Sequence, residues 1–198
     1  MKIIGLTGGS GTGKGTVAAR MRELGAGWVD ADAVYRGLCA ENREMLAALD
    51  AAFGGVTDGN GALDRPKLAQ IVFSDPEKLA KLNEITTPYI RAASLAAMQA
   101  QADRPIVLYD APTLFEAGVD GLCEQVIGVL ADTETRVQRV MARDGLSIEA
   151  ARARILAQPD DGFYRARCDY IIENNGDLAA LWRETDALYT ILSKGEQK

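Results

Sequence analysis

The stretch Ile3-Ile4-Gly5-Leu6-Thr7-Gly8-Gly9-Ser10-Gly11-Thr12-Gly13-Lys14-Gly15-Thr16 decides the fold. Ile3 to Leu6 reads as a buried strand, and Val17, Met21 and Leu24 then recur at helical spacing. Between them, Gly8 to Lys14 has the spacing G-x-x-x-x-G-K. Binding a phosphate through the main chain needs several N–H groups converging on one anion. Glycine supplies the positive φ angles and close approach this requires. A helix opening directly after the loop adds free N–H donors and a partial positive charge. Lys14 would reach the outer phosphates, and Gly9, Gly11, Thr12 and Gly13 would line the cradle. A strand before and a helix after is the context this motif demands.

One position departs from the usual pattern. The residue after the lysine is Gly15, and the hydroxyl that would ligate Mg²⁺ comes one later, at Thr16. The G-K-G-T form resembles the loop of adenylate kinases.

Outward from the loop, four more short apolar runs recur: Trp28-Val29, Ile106 to Tyr109, Val126 to Leu130 and Tyr170 to Ile172. Such runs, separated by helical patterns, predict an α/β fold with a five-stranded parallel sheet covered by helices on both faces, of the P-loop NTPase type. The stretch from Ala33 to Arg104 shows no strand. Leu46, Leu49 and Phe53 have helical spacing, as do Leu68, Ile71 and Val72. The Asp58-Gly59-Asn60-Gly61 cluster breaks the pattern, and Pro88 is expected to end one helix and begin an alanine-rich one. The 198 residues therefore read as one domain. Its core covers about 1–32 and 105–198, a helical insertion that caps the strand ends about 33–104, and a helical lid about 144–166. An apolar stripe from Leu178 to Leu192 marks a final helix before a polar tail at 194–198.

Composition narrows the chemistry. A net charge of −6 argues against a nucleic-acid or membrane surface. No apolar run approaches a bilayer span and no signal-peptide pattern is present, so a cytoplasmic location is expected. The oligomeric state stays open, a monomer included. The chain has no histidine, which removes imidazole bases and the commonest catalytic zinc sites. Cys39, Cys123 and Cys168 are far apart and read as buried or partly buried thiols.

Carboxylates and arginines remain. Asp30 and Asp32 stand two apart at the end of the second strand, where both side chains would share one face. Asp32 is the candidate base that orients and deprotonates an acceptor hydroxyl, with Asp30 in a capping or supporting role; the alternative reading has either one as the cap of the helix that begins near Ala33. Asp110 closes the third strand in the manner of a Walker B aspartate and is the candidate Mg²⁺ partner, with Thr16. Arg136, Arg139 and Arg143 recur along one helix. They read either as a clamp on a transferring phosphoryl group or as a solvated face paired with Glu134 and Asp144.

In order, these motifs resemble the dephospho-coenzyme A kinase family. The resemblance rests on Leu6-Thr7-Gly8-Gly9, Val29-Asp30-Ala31-Asp32, Leu82-Asn83 with Thr87-Pro88, and Pro112-Thr113-Leu114-Phe115-Glu116. It continues through Arg139 to Arg143-Asp144, Gln158, and Cys168-Asp169-Tyr170-Ile171-Ile172-Glu173-Asn174-Asn175-Gly176. It implies MgATP-dependent phosphorylation of the 3′-hydroxyl of dephospho-coenzyme A. In that scheme Asp32 is the base, and Thr7 and the loop residues through Thr16 serve the phosphates. Lys14, Arg139 and Arg143 serve the transferring group, Asn175 lies near the nucleotide base, and the helical insertion, around Leu63–Arg104, is acceptor-binding. Thr87, Thr113, Gly15 and the lid segment Pro159 to Phe163 depart from the family pattern. Two other readings stay open: a kinase of another small acceptor such as a nucleoside or nucleotide, and a non-catalytic nucleotide-binding regulator.

Overall fold

The computed structural model describes residues 1–58 and 61–194. The Gly59-Asn60 part of the expected helix break and the polar tail beyond Lys194 lie outside the described residues.

The chain forms two compact units, one of residues 1–28 and 101–198, the other of residues 29–100. The elements run β1 (Lys2–Thr7), α1 (Lys14–Glu23), β2 (Gly27–Asp30), α2 (Ala31–Glu41), α3 (Arg43–Phe53), α4 (Arg65–Val72) and α5 (Pro76–Gln99). They continue with β3 (Ile106–Asp110), β4 (Gln125–Leu130), α6 (Thr133–Asp144), α7 (Ile148–Leu156), α8 (Asp161–Arg165), β5 (Tyr170–Glu173) and α9 (Leu178–Lys194). Each strand falls on an apolar run read from the sequence.

The sheet has the order β2-β3-β1-β4-β5, with β1 at its centre. Its β1–β3, β1–β4 and β4–β5 pairs are parallel. Side chains alternate across it. Ile4 and Leu6 pack with Ile106, Leu108, Ile127 and Val129 against α1 and α9 through Val17, Met21, Leu181, Leu188 and Leu192. Gly5 and Gly128 open the other face, where Leu114, Cys123 and Cys168 fill the space a side chain would take. Arg20 of α1 grips Asp186 of α9 through two bonds of 2.7 Å, which fixes the two helices side by side.

The second unit packs α2, α3 and α4 against α5. Its core is Cys39, Met45, Leu49, Val56, Leu68 and Val72. Asp64 and Asp75 cap α4 and α5, with Pro66 and Pro76 in their first turns, where proline's missing N–H is no loss. Pro88 does not break the helix: α5 runs unbroken from Pro76 to Gln99. A mid-helix proline costs about 3 kcal/mol. Packing of α5 against three other helices, with Ile85 and Tyr89 laid on the core, offsets that cost.

Candidate active site

The loop between β1 and α1 is built as the sequence demands. Gly13 caps α1 at φ 93°, in the left-handed region. A Cβ there would also lie 2.0 Å from the Asn174 side-chain amide, so both backbone and space require glycine. Thr12 is buried and its hydroxyl donates to the Gly9 carbonyl at 2.9 Å, closing the loop on itself. Thr7, fully buried at the end of β1, donates to the Pro112 carbonyl at 3.2 Å. It ties the base of the loop to the chain leaving β3.

Lys14 at the start of α1 forms an ion pair with Asp110 Oδ1, and Trp28 Nε1 donates to Asp110 Oδ2 at 3.3 Å. Asp110 is 7% exposed, so this buried carboxylate has a partner on each oxygen. Thr16 lies exposed in the first turn of α1. Gly15 is helical and has nothing within 4 Å of where a Cβ would stand.

The three arginines of α6 part company. Arg139 lies against the loop and donates to the carbonyls of Gly11 at 3.3 Å and Asn174 at 3.1 Å. Arg143 is mostly exposed and pairs with Asp144 at 2.7 Å, which holds its guanidinium above its ordinary pKa. Glu134, the other expected partner, instead pairs with Arg152 of α7. Arg136 is buried. Gly145 ends α6 in the left-handed region and Ser147 caps α7, so the arginines do sit in a helical hairpin.

A cavity of about 530 Å³ gathers the loop residues Gly8 to Gly11 and Gly13 to Thr16 with Pro112, Arg139, Arg143 and Gln158. Lys14, Arg139 and Arg143 therefore line the same cavity as the glycine loop. Asp32 belongs to the second unit, exposed in the first turn of α2. Its placement corrects the strand-face argument: β2 ends at Asp30, so a period of two does not extend to Asp32. Asp30 caps α2, accepting from the N–H groups of Asp32 at 2.9 Å and Ala33 at 3.2 Å.

Asn175 is exposed and its side chain accepts from the Asp132 N–H at 2.8 Å. Its neighbour Asn174, not singled out from the sequence, is the one that meets the loop. It is buried and donates to the Thr12 carbonyl at 2.8 Å. Among the described residues no group of three or more His, Cys, Asp or Glu side chains could hold a metal ion. Nor is any helix long and apolar enough to cross a membrane.

A parallel sheet that ends in a glycine loop at a helix N-terminus, with lysine and arginines converging on it, defines a P-loop kinase. The dephospho-CoA kinase family model matches residues 2–180. A dephospho-CoA kinase of Syntrophotalea carbinolica is 42% identical over 98% of this chain and 94% of its own length. One from Geobacillus kaustophilus is 40% identical over 93% of this chain and 97% of its own. The solved dephospho-CoA kinase of Campylobacter jejuni superposes with a TM-score of 0.72 at 28% identity, covering 98% of each chain. The chain belongs to the dephospho-CoA kinase family.

Proposed function

We propose that this chain transfers the γ-phosphoryl group of ATP to the 3′-hydroxyl of dephospho-coenzyme A, the last step of coenzyme A synthesis, in the cytoplasm. The observation that carries the reading is the cavity in which Lys14, Arg139 and Arg143 line the glycine loop. Phosphoryl transfer asks the protein mainly for positioning and for compensation of negative charge. Backbone N–H groups from the loop to Thr16 would hold the phosphates, with Thr7 bracing the base of the loop. Lys14 would exchange Asp110 for the outer phosphates, and Arg139 and Arg143 would face the charge that builds on the transferring group. Asp32 would accept the proton of the attacking hydroxyl. Asn175 would lie near the nucleotide base, residues 33–104 would hold the acceptor, and residues 144–166 would form the lid.

Mg²⁺ fits the residues present. It keeps several waters and needs only one or two protein oxygens beside substrate phosphates. Asp110 and the Thr16 hydroxyl can supply these directly or through water. The ion, when bound, would neutralise charge on the phosphate oxygens.

Steady-state turnover with ATP and a panel of acceptors tests the reading. Coenzyme A should form from dephospho-coenzyme A far faster than adenosine or any nucleoside monophosphate is phosphorylated. A preference for one of the latter would discard the acceptor and keep the kinase. ATP binding with no acceptor turned over would favour a regulator.

A further inference from the structure

Arg136 stands out for where its charge is kept. It is 4% exposed, and among the described residues no ion pair includes it. Its partners are neutral: Nε donates to the Ser10 carbonyl at 3.0 Å and Nη2 to Gln158 Oε1 at 2.9 Å. Gln158 closes the ring, accepting from the Ser10 N–H at 2.9 Å and donating to its hydroxyl at 3.1 Å. Ser10 belongs to the glycine loop, and Gln158 follows Ala157, the C-cap of α7. Gly9 makes room, since a Cβ there would lie 2.3 Å from Arg136 Nη2 and 2.9 Å from Gln158 Oε1.

A buried cation without an anion costs several kcal/mol. Burial accordingly pushes the Arg136 guanidinium below its ordinary pKa, opposed by the carboxylate of Asp161 at the start of α8 and by Tyr164. Gln158 lines the cavity while Arg136 lies behind it. With its carbonyl held by Arg136, Ser10 cannot turn that oxygen toward an anion in the loop.

We propose that Arg136 is a positioning residue for the nucleotide. It fixes Ser10 and Gln158 in one arrangement, and its buried charge is matched by the polyphosphate that the loop takes up. This rests on the kinase reading and adds to it a link between the loop and the end of α7. Phosphate in the loop and Gln158 in its observed position then reinforce each other.

The test is calorimetric binding of MgATP to the full chain without any acceptor, beside a thermal melt. Arg136→Lys keeps the charge but loses the fork, and should weaken ATP about tenfold. Gln158→Glu should raise the melting temperature by giving Arg136 a carboxylate. It should nevertheless weaken ATP several-fold, because that carboxylate takes up the charge meant for phosphate. The rise in melting temperature reports the unmatched charge, and the loss of ATP affinity in a folded Arg136→Lys chain is what a purely structural arginine would not produce. Gln158→Glu also stands alone if Arg136→Lys fails to fold. Equal ATP affinity in all variants would sink the inference and leave the kinase intact. A wild-type chain that binds no ATP would sink both.

Discussion

Trp28 and Asp110 are joined by a hydrogen bond of 3.3 Å from the indole N–H to Oδ2, while Lys14 occupies the other carboxylate oxygen. Gln101 pins the Trp28 main chain on both sides, accepting from its N–H at 2.9 Å and donating to its carbonyl at 3.1 Å. Arg22 lies over the indole, 4.7 Å from its centre. The ring is therefore held at its edge, its face and its backbone. Trp28→Phe keeps the ring and deletes the donor, leaving a buried carboxylate oxygen short of a partner. The expected loss is about 1–2 kcal/mol, a fall in Tm of roughly 2–8 °C. ATP turnover should drop several-fold. A variant that melts like wild type would show that water replaces the indole N–H at no cost.

Asp32→Asn keeps the size of the candidate base and removes its basicity. We expect kcat to fall by about 10²–10⁴ with the KM for ATP within a few-fold. Asp30, and not Asp32, supplies the cap of α2, so the melting temperature should barely move. Near-normal turnover would remove Asp32 from the chemistry.

Arg139 and Arg143 should fail differently. Arg139 holds loop carbonyls and Asn174, so Arg139→Ala should lower Tm and also cut kcat by about 10²–10³. Arg143 pairs with Asp144 at an exposed position, so Arg143→Ala should leave Tm unchanged and lower kcat alone. Parallel losses of stability in both variants would show that Arg143 has a packing role.

Gly15 offers a gain. Its position in α1 is open and its φ is not positive, so serine fits without strain. Serine is also the better helix former, by a few tenths of a kcal/mol. Gly15→Ser should keep or slightly raise Tm and lower the Mg²⁺ needed for half-maximal turnover. Thr16→Ala should raise that requirement, with partial recovery at high Mg²⁺. An unchanged Mg²⁺ dependence in Thr16→Ala would show that the loop hydroxyl takes no part.

Cys123 carries a pH signature. Burial, with Asp120 adding to it, pushes its thiol from 9.0 up to about 12. Between those values the folded chain keeps a proton that the unfolded chain gives up. This contribution to stability is therefore lost as pH rises through that window. Going from pH 8 to pH 10.5, wild type should lose more Tm than Cys123→Ala does. Equal losses would mean the thiol titrates as it would in water.

Some of this was legible before any coordinates, and the physical reasons are local. The five strands announced themselves because strands buried on both faces become continuous apolar runs, as in Ile106 to Leu108 and Val126 to Leu130. The loop was legible because its glycines are dictated by backbone geometry. Pro88 misled because helix propensity is a sum of small terms that tertiary packing outweighs. Arg136 was legible as a helix position and not as a buried charge, since its partners Ser10 and Gln158 lie far away in sequence. The same holds for Trp28, whose tie to Asp110 spans 82 positions.

The central place of β1 sets the order in which the molecule can assemble. β1 needs neighbours on both edges, and Leu6 meets Asp110 on one side and Ile127 on the other. Each partner is synthesised more than a hundred residues after β1. An apolar, unpaired segment thus waits through the synthesis of a helical unit that can pack its own core. Non-local pairing of this kind slows collapse and exposes sticky edges. Refolding of a Trp182→Phe chain from denaturant should then show helical signal well before sheet-dependent fluorescence of Trp28, and added chaperone should raise yield most in that interval.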